Sequence, residues 1–331
     1  MRVSAYFLPH DIATYVESVR CAEASGYERA WLIDGQMLYH DLYIYLDRGL
    51  CATTQLMFGS GVTNPITRHA SVTASAMATL DQLHPGRIVL GLGRGDNAIR
   101  TIGERPMPTS EYAEIVPKLR ALMAGEAVPT GSDEMRIRWA AQSVPIMLAA
   151  SGPRNLELAG RLADIVQIQV GVHPNAVRWA VSLIRQGAEA AGRDPAVVEV
   201  SLLCGMWVSD DREEALRVCR WSPPSVANHV EAAMRNPGHG MPEELTGVVE
   251  LRRAHAAEYD YCKDHGDSTA DDMAWITSDL VDDFAICGSA DRCLDQIRAL
   301  KSLGVNEVAT AFLNGEFDQM RQVGRDVIAR L

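Results

Sequence analysis

The sequence predicts an α/β fold, a single (β/α)8 TIM barrel with an insertion after the seventh strand. Three observations predict it. Short apolar runs alternate with amphipathic stretches over nearly the whole chain, as repeated β-α units require. There are eight such units in 331 residues, a length that suits one barrel. The first strand also lacks the G-x-G-x-x-G turn expected of the competing fold, an open doubly wound sheet.

Residues 3–7 are the first strand. Asp11 then offers an N-cap, and Ile12, Val16, Val19 and Ala22 recur at helical spacing until Gly26 closes the helix. Residues 29–34 (RAWLID) are the second strand, with a helix over about 42–53. Residues 56–62 are strand three, and 71–83 an alanine-rich helix that ends before His84-Pro85-Gly86. Residues 87–93 (RIVLGLG) are strand four, followed by a helix over about 111–123. Residues 126–143 fit no strong pattern and read as a loop or a short hairpin.

Residues 145–150 are strand five, with a helix over 153–162; residues 163–170 are strand six, with a helix over 175–191. Residues 198–208 are strand seven, followed by a short helix over 211–219. The segment 221–283 far exceeds the roughly 2–6 residues of an ordinary βα connection, so it is the insertion. Within it, 243–261 is amphipathic, with Leu251, His255 and Tyr259 four residues apart, and 264–272 is acidic and polar. Leaving from the end of strand seven, the insertion is expected to cover a pocket and to set substrate choice. Residues 306–313 are strand eight and 317–331 the last helix. No further repeat or low-complexity linker divides the chain, so residues 1–331 are read as one domain.

The balance of charge excludes some partners. A net charge of −12 with no basic stripe argues against nucleic acid and anionic membrane surfaces. No stretch approaches the roughly 18 apolar residues of a membrane helix, and residues 1–9 lack the features of a signal peptide. Seven scattered cysteines with no C-x-x-C pair point to reduced thiols and a cytoplasmic protein. The nine histidines show no H-x-H or H-E-x-x-H spacing, so no metal is expected. A G-x-S-x-G elbow is absent, which removes the commonest hydrolase signature.

In a barrel, chemistry belongs to the loops after the strands. After strand two stands Asp34, able to accept from a ring or hydroxyl or to cap the next helix. After strand three, Gly61-Val62-Thr63-Asn64-Pro65 leads to Thr67-Arg68-His69. The bland reading is a turn with a surface Arg-His pair; the density of hydrogen-bonding groups favours a site. After strand four, the glycines of Gly91-Leu92-Gly93-Arg94-Gly95-Asp96-Asn97 allow a flat ring close to the backbone, while Asp96 and Asn97 add polar contacts. After strand five, Ala150-Ser151-Gly152-Pro153 opens a helix whose free N–H groups suit a phosphate.

Taken together, G-V-T-N-P at 61–65, T-R-H at 67–69, the helix ASAMATLDQL, Gly86-Arg87 and G-L-G-R-G-D at 91–96 resemble the luciferase-like flavin oxidoreductases. The resemblance is to the branch containing F420-dependent methylenetetrahydromethanopterin reductase. A-A-S-G-P at 149–153, A-G-R-L-A-D at 159–164 and Gly288-Ser289 extend it over nearly the whole chain. It implies a homodimeric barrel with F420, or alternatively FMN, at its mouth. It also implies a non-prolyl cis peptide at Gly61-Val62. By position, Asp34, Gly61, Val62, Asn64 and Asp96 would line the ring, while Ala150, Ser151 and Gly152 would hold the phosphate. Asp34, His69 and Asp96 are the candidate catalytic residues.

The sequence departs from the family in two places. Gly35 replaces the histidine that many relatives use as a proton relay after Asp34; His69 or His40 could take over that role, a structural or surface role being favoured for both, with cofactor and solvent left to manage protons otherwise. Val172 stands where sugar-phosphate dehydrogenases carry a lysine, which argues against a sugar-phosphate substrate. The function expected is F420-dependent hydride transfer to or from a small organic molecule. The alternatives are a monooxygenase using reduced FMN and dioxygen, and a non-catalytic flavin-binding relative.

Overall fold

The computed structural model describes residues 1–235, 240–255, 275–312 and 315–331. Twelve strands appear among them: β1 Arg2–Phe7, β2 Arg29–Leu32, β3 Met57–Ser60, β4 Ile88–Leu92, β5 Val128–Thr130, β6 Asp133–Met135, β7 Ile146–Ala149, β8 Ile165–Ile168, β9 Glu199–Leu203, β10 Gly205–Val208, β11 Ala285–Gly288 and β12 Glu307–Ala311. Eight of these close a barrel in the order β1-β12-β9-β8-β7-β4-β3-β2, and each falls on a segment expected to be a strand. The pairs β2–β3, β3–β4, β4–β7 and β9–β12 are parallel. The residues group into two compact units, one of 5–149 with 162–165, the other of 1–4, 150–161 and 166–331.

In the first unit, helix α1 (Ile12–Ala24) starts at Asp11, whose carboxylate accepts from Thr14 N at 2.7 Å. Helix α2 (Leu42–Ala52) starts at Asp41, which accepts from the N–H groups of Tyr43 and Ile44. Trp31, Phe58, Leu46, Leu50, Met77 and Leu90 form the buried core between helices and strands. Residues 126–143 contain the short antiparallel hairpin β5–β6. A four-residue helical turn, Asn97–Arg100, was not legible in the sequence.

The turn into β3 is pinned by one carboxylate. Glu23 accepts from the backbone N–H groups of Thr54, Gln55 and Leu56 at 2.8, 2.7 and 3.0 Å. Burial alone would raise its pKa, but those N–H groups and the Arg87 guanidinium hold it below the usual carboxylate range. A carboxyl depressed in the fold contributes stability above its unfolded pKa and loses it as pH falls through the folded value. Glu23→Gln should therefore lower stability by ~1 kcal/mol at pH 7, a loss kept small by solvent screening. Urea midpoints of variant and wild type should converge as pH falls below the ordinary glutamate value of 4.5. Equal midpoints at pH 7 would contradict this account.

The second unit departs from the expectation at strand seven. Residues 198–208 do not form one strand. Cys204 N still donates to Ala309 O at 3.1 Å in the barrel, but the next N–H, that of Gly205, turns to Ser222 Oγ at 3.3 Å. From there β10 runs parallel to β11, a strand that lay inside no expected element. Gln319 clamps Val208, accepting from its N–H at 3.1 Å and donating to its carbonyl at 2.9 Å. From Leu202 to Val208 the only residue that is not a large apolar one or cysteine is Gly205, so the pattern cannot reveal that the hydrogen-bonding partner changes there. Under β10 and β11 lies a second small core of Ala215, Cys219, Ile276, Val281, Ala285 and Cys287.

Of the segment 221–283, the described parts include the helices Ser222–Glu231, Glu243–Ala254 and Ser278–Phe284. The amphipathic helix thus ends at Ala254 in place of 261; Tyr259 and the acidic stretch 264–272 lie outside the described residues. The last helix, Phe317–Asp326, gives way to a 3-10 turn at Ile328–Arg330. At the start of β12, the buried Glu307 accepts from Ser4 Oγ at 3.0 Å and Ser201 Oγ at 2.8 Å. The six described cysteines are free thiols. Among the described residues, no helix is long and apolar enough to cross a membrane.

Candidate functional site

In the first unit, the residues after β2, β3 and β4 form a connected set. Asp34, buried, does not cap the next helix, a task that Asp41 performs. Its carboxylate accepts from Thr63 Oγ1 at 2.5 Å and from Arg68 at 2.6 and 3.4 Å. Arg68 also reaches Asp41 at 3.2 Å and lies over the Tyr43 ring, 4.9 Å from its centroid. Burial would lower the Arg68 pKa, but the hydrogen bond and charge of Asp34 outweigh it and the guanidinium is held above its ordinary value. The alternative of a surface Arg-His pair, which the density of hydrogen-bonding groups already disfavoured, does not hold for Arg68: its side chain is only 15% exposed, because its charge has a buried partner.

The peptide Gly61-Val62 is cis, as the family resemblance implied. Immediately after it the chain rejoins the sheet, with Thr63 N donating to Gly91 O at 3.0 Å and Gly93 N to Thr63 O at 2.9 Å. Asn64 is buried and folds the loop by accepting from Ile66 N and Thr67 N, both at 3.0 Å. Its amide nitrogen Nδ2 has no partner, and neither does the buried Thr67 hydroxyl. An orphaned buried donor costs about 1–3 kcal/mol unless something satisfies it, so this loop fits a ligand that offers an acceptor.

Asp96 stands at the start of the turn Asn97–Arg100 and pairs with Arg100 at 2.8 Å. Gln36 Nε2 donates to Ala98 O at 2.8 Å, which ties the loop after β2 to the loop after β4. His69 is exposed; its Nδ1 accepts from Ser71 N and lies 2.8 Å from the Ser71 hydroxyl, so the ring caps helix α3 (Ala70–Leu83). His40 places Nδ1 3.0 Å from Pro9 O and stacks on Tyr45.

In the second unit, Ala150 N donates to Gln167 O at 2.9 Å. Ser151 and Gly152, half-buried, lead into the helix Pro153–Leu162, whose first turn closes on Gly152 O through Asn155 N at 3.0 Å and Leu156 N at 2.9 Å. A Cβ at Gly152 would lie 3.2 Å from the Ala233 methyl, in a 3-10 turn of the segment after strand seven. Nearby in sequence, the buried Gln169 donates to Ser225 Oγ at 2.8 Å. No pattern marked Ala233 or Ser225, because their partners are remote in the chain.

Comparison with known proteins identifies the family. The luciferase-like monooxygenase family matches residues 3–307. The 5,10-methylenetetrahydromethanopterin reductase of Methanolobus tindarius is 30% identical over 334 residues, covering 97% of this chain and 98% of that one. The F420-dependent hydroxymycolic acid dehydrogenase of Mycobacterium tuberculosis is 32% identical over 225 residues, 62% of each chain. The solved structure of the coenzyme F420 dependent tetrahydromethanopterin reductase from Methanopyrus kandleri superposes with a TM-score of 0.79 at 22% identity, covering 99% of both chains. With the barrel, the strand-end loops and a match spanning nearly all of its length, the chain belongs to the luciferase-like monooxygenase family.

Proposed function

We propose that this protein is an F420-dependent oxidoreductase that moves hydride between the deazaflavin and a small organic substrate. The observation that carries the reading is the end-to-end similarity to 5,10-methylenetetrahydromethanopterin reductase, 97% of this chain against 98% of that one. A relative named as an F420-dependent dehydrogenase points the same way. When bound, F420 supplies or accepts the hydride, and the protein contributes orientation, hydrogen bonds and exclusion of water.

Asn64 Nδ2, buried and unpartnered, is the donor that would meet an acceptor on the ring. Gly61 and Val62 would form the surface beneath it. Asp34 is a positioning residue: its oxygens are taken by Thr63 and Arg68, and through them it fixes the loop that carries Asn64. Asp96, in the loop after β4 and paired to an exposed arginine, is the carboxylate best placed to meet a substrate proton or hydroxyl. His69 is occupied as a helix cap and His40 places Nδ1 at Pro9 O, so neither is read as the relay that Gly35 lacks. Ala150, Ser151 and Gly152 would hold the cofactor phosphate. We further propose a homodimer acting in the cytoplasm.

Gly152→Asp tests the phosphate assignment. A carboxylate about 5 Å from a phosphate would weaken F420 binding on the order of tenfold to a hundredfold at an intermediate effective dielectric. Fluorescence titration reads this directly, and an unchanged affinity would move the phosphate elsewhere.

The family's description favours one second reading, an FMN monooxygenase. Turnover separates the two. Reduced F420 should be oxidised under argon when pterin-type or carbonyl acceptors are supplied. Oxygen consumption with reduced FMN, and none with reduced F420, would favour the monooxygenase.

A further inference from the structure

We propose that Asp47, Cys51 and His84 form a binding site for a zinc-class divalent metal ion that clips α2 to the end of α3. In the structure Asp47 Oδ1 lies 3.6 Å from His84 Nε2, Cys51 Sγ 3.8 Å from Asp47 Oδ1, and Cys51 Sγ 3.9 Å from His84 Nε2. A tetrahedral zinc ion, with bonds of about 2.0–2.1 Å to N and O and about 2.3 Å to S, needs its donors roughly 3.3–3.6 Å apart. The three atoms therefore stand a few tenths of an ångström wider than the bound geometry.

Which nitrogen faces the others decides between two chemistries. In a Cys-His-Asp relay the thiol and the carboxylate meet opposite nitrogens of the imidazole. Here both face Nε2, so the three donors converge on one point, as ligands do.

The donors come from well-fixed elements. Asp47 and Cys51 are one turn apart on α2 and share a face. His84 is the C-cap of α3, its N–H donating to Leu80 O at 2.9 Å and its carbonyl accepting from Arg87 N at 3.2 Å. Cys51 is exposed, and the His84 and Asp47 side chains are 16% and 31% exposed, so an ion can enter from solvent. Water would complete the coordination. A thiol, an imidazole and a carboxylate suit zinc-class ions and not magnesium or calcium, which prefer oxygen alone.

Two guanidinium groups oppose the ion. Arg48 lies 3.8 Å from Asp47 Oδ2 but is 60% exposed and free to swing away. Arg87, held by the carbonyls of Leu50, Thr53 and Leu56, is within electrostatic range of Cys51. The ends of α2 and α3 lead into the starts of β3 and β4, whereas the candidate cofactor loops follow the strand ends. The metal's role is accordingly to hold the two helices together, independent of the F420 reading. Binding would release the Cys51 thiol proton to solvent.

Cobalt(II), titrated into untagged, metal-free protein, reports the site directly. The expected spectrum has a thiolate-to-cobalt charge-transfer band and the intense visible bands of tetrahedral cobalt, saturating at one equivalent and bleached by zinc. Cys51→Ser should abolish the charge-transfer band, and His84→Asn should weaken cobalt binding roughly tenfold or more. Zinc should raise the melting temperature of the wild type and leave that of both variants in place. A wild-type spectrum without thiolate charge transfer, or one that survives Cys51→Ser, would overturn the proposal.

Discussion

Arg68→Met is expected to cost about 3–5 kcal/mol of folding stability, because it leaves the Asp34 carboxylate buried with only a hydroxyl for company. The Asp34 side chain is 1% exposed, and Arg68 meets it at 2.6 Å. Breaking such a pair from the cationic side strands a desolvated charge; water cannot reach it to compensate. Asp34→Asn should cost less, since Arg68 keeps Asp41 at 3.2 Å and some contact with solvent. The double variant Asp34→Asn/Arg68→Met should be more stable than Arg68→Met alone, which the urea midpoints of the four proteins will show. A loss below about 1 kcal/mol for Arg68→Met would mean that the pair behaves like an exposed one.

Gly91→Ala is the second large effect. Gly91 of β4 lies against the backbone of β3: a Cβ there would lie 1.8 Å from the Ser60 carbonyl oxygen. No rotamer relieves such a contact, since the obstacle is backbone. The same residue anchors the site. Ser60 Oγ donates to Gly91 O and accepts from Gly91 N, both at 2.8 Å, and Thr63 N donates to Gly91 O at 3.0 Å. Separating the strands to admit a methyl group should cost ~3 kcal/mol or more and displace the loop that carries Asn64. Thermal melting and F420 titration should therefore worsen together. A variant with wild-type melting temperature and wild-type affinity would show that β3 and β4 can part freely.

Much of this architecture is legible in the sequence because it is local. The eight barrel strands coincide with apolar runs, and Asp11 caps the first helix as its position suggested. The strand-three and strand-four loops were picked out by their density of glycine and hydrogen-bonding side chains. The cis peptide followed from resemblance alone. What stayed hidden depends on partners remote in the chain. The loop carrying Arg68 stood out as a site, but its pairing with Asp34 did not, because the two are 34 residues apart in the chain. Residues 198–208 looked like one strand because the change of partner at Gly205 relies on Ser222. Asp47, Cys51 and His84 match no metal motif, since the third donor comes from another helix. The orphaned amide of Asn64 appears only once the loop has folded around its oxygen.

Which cofactor the barrel binds can be measured directly. Purified protein should be titrated side by side with F420 and FMN, following the absorbance and fluorescence of each. F420 should bind saturably and at least roughly tenfold tighter than FMN, a preference of about 1.4 kcal/mol. The preference should shrink when the orphaned donor is removed by Asn64→Ala. Tighter binding of FMN than of F420, or binding of neither, would contradict the F420 reading.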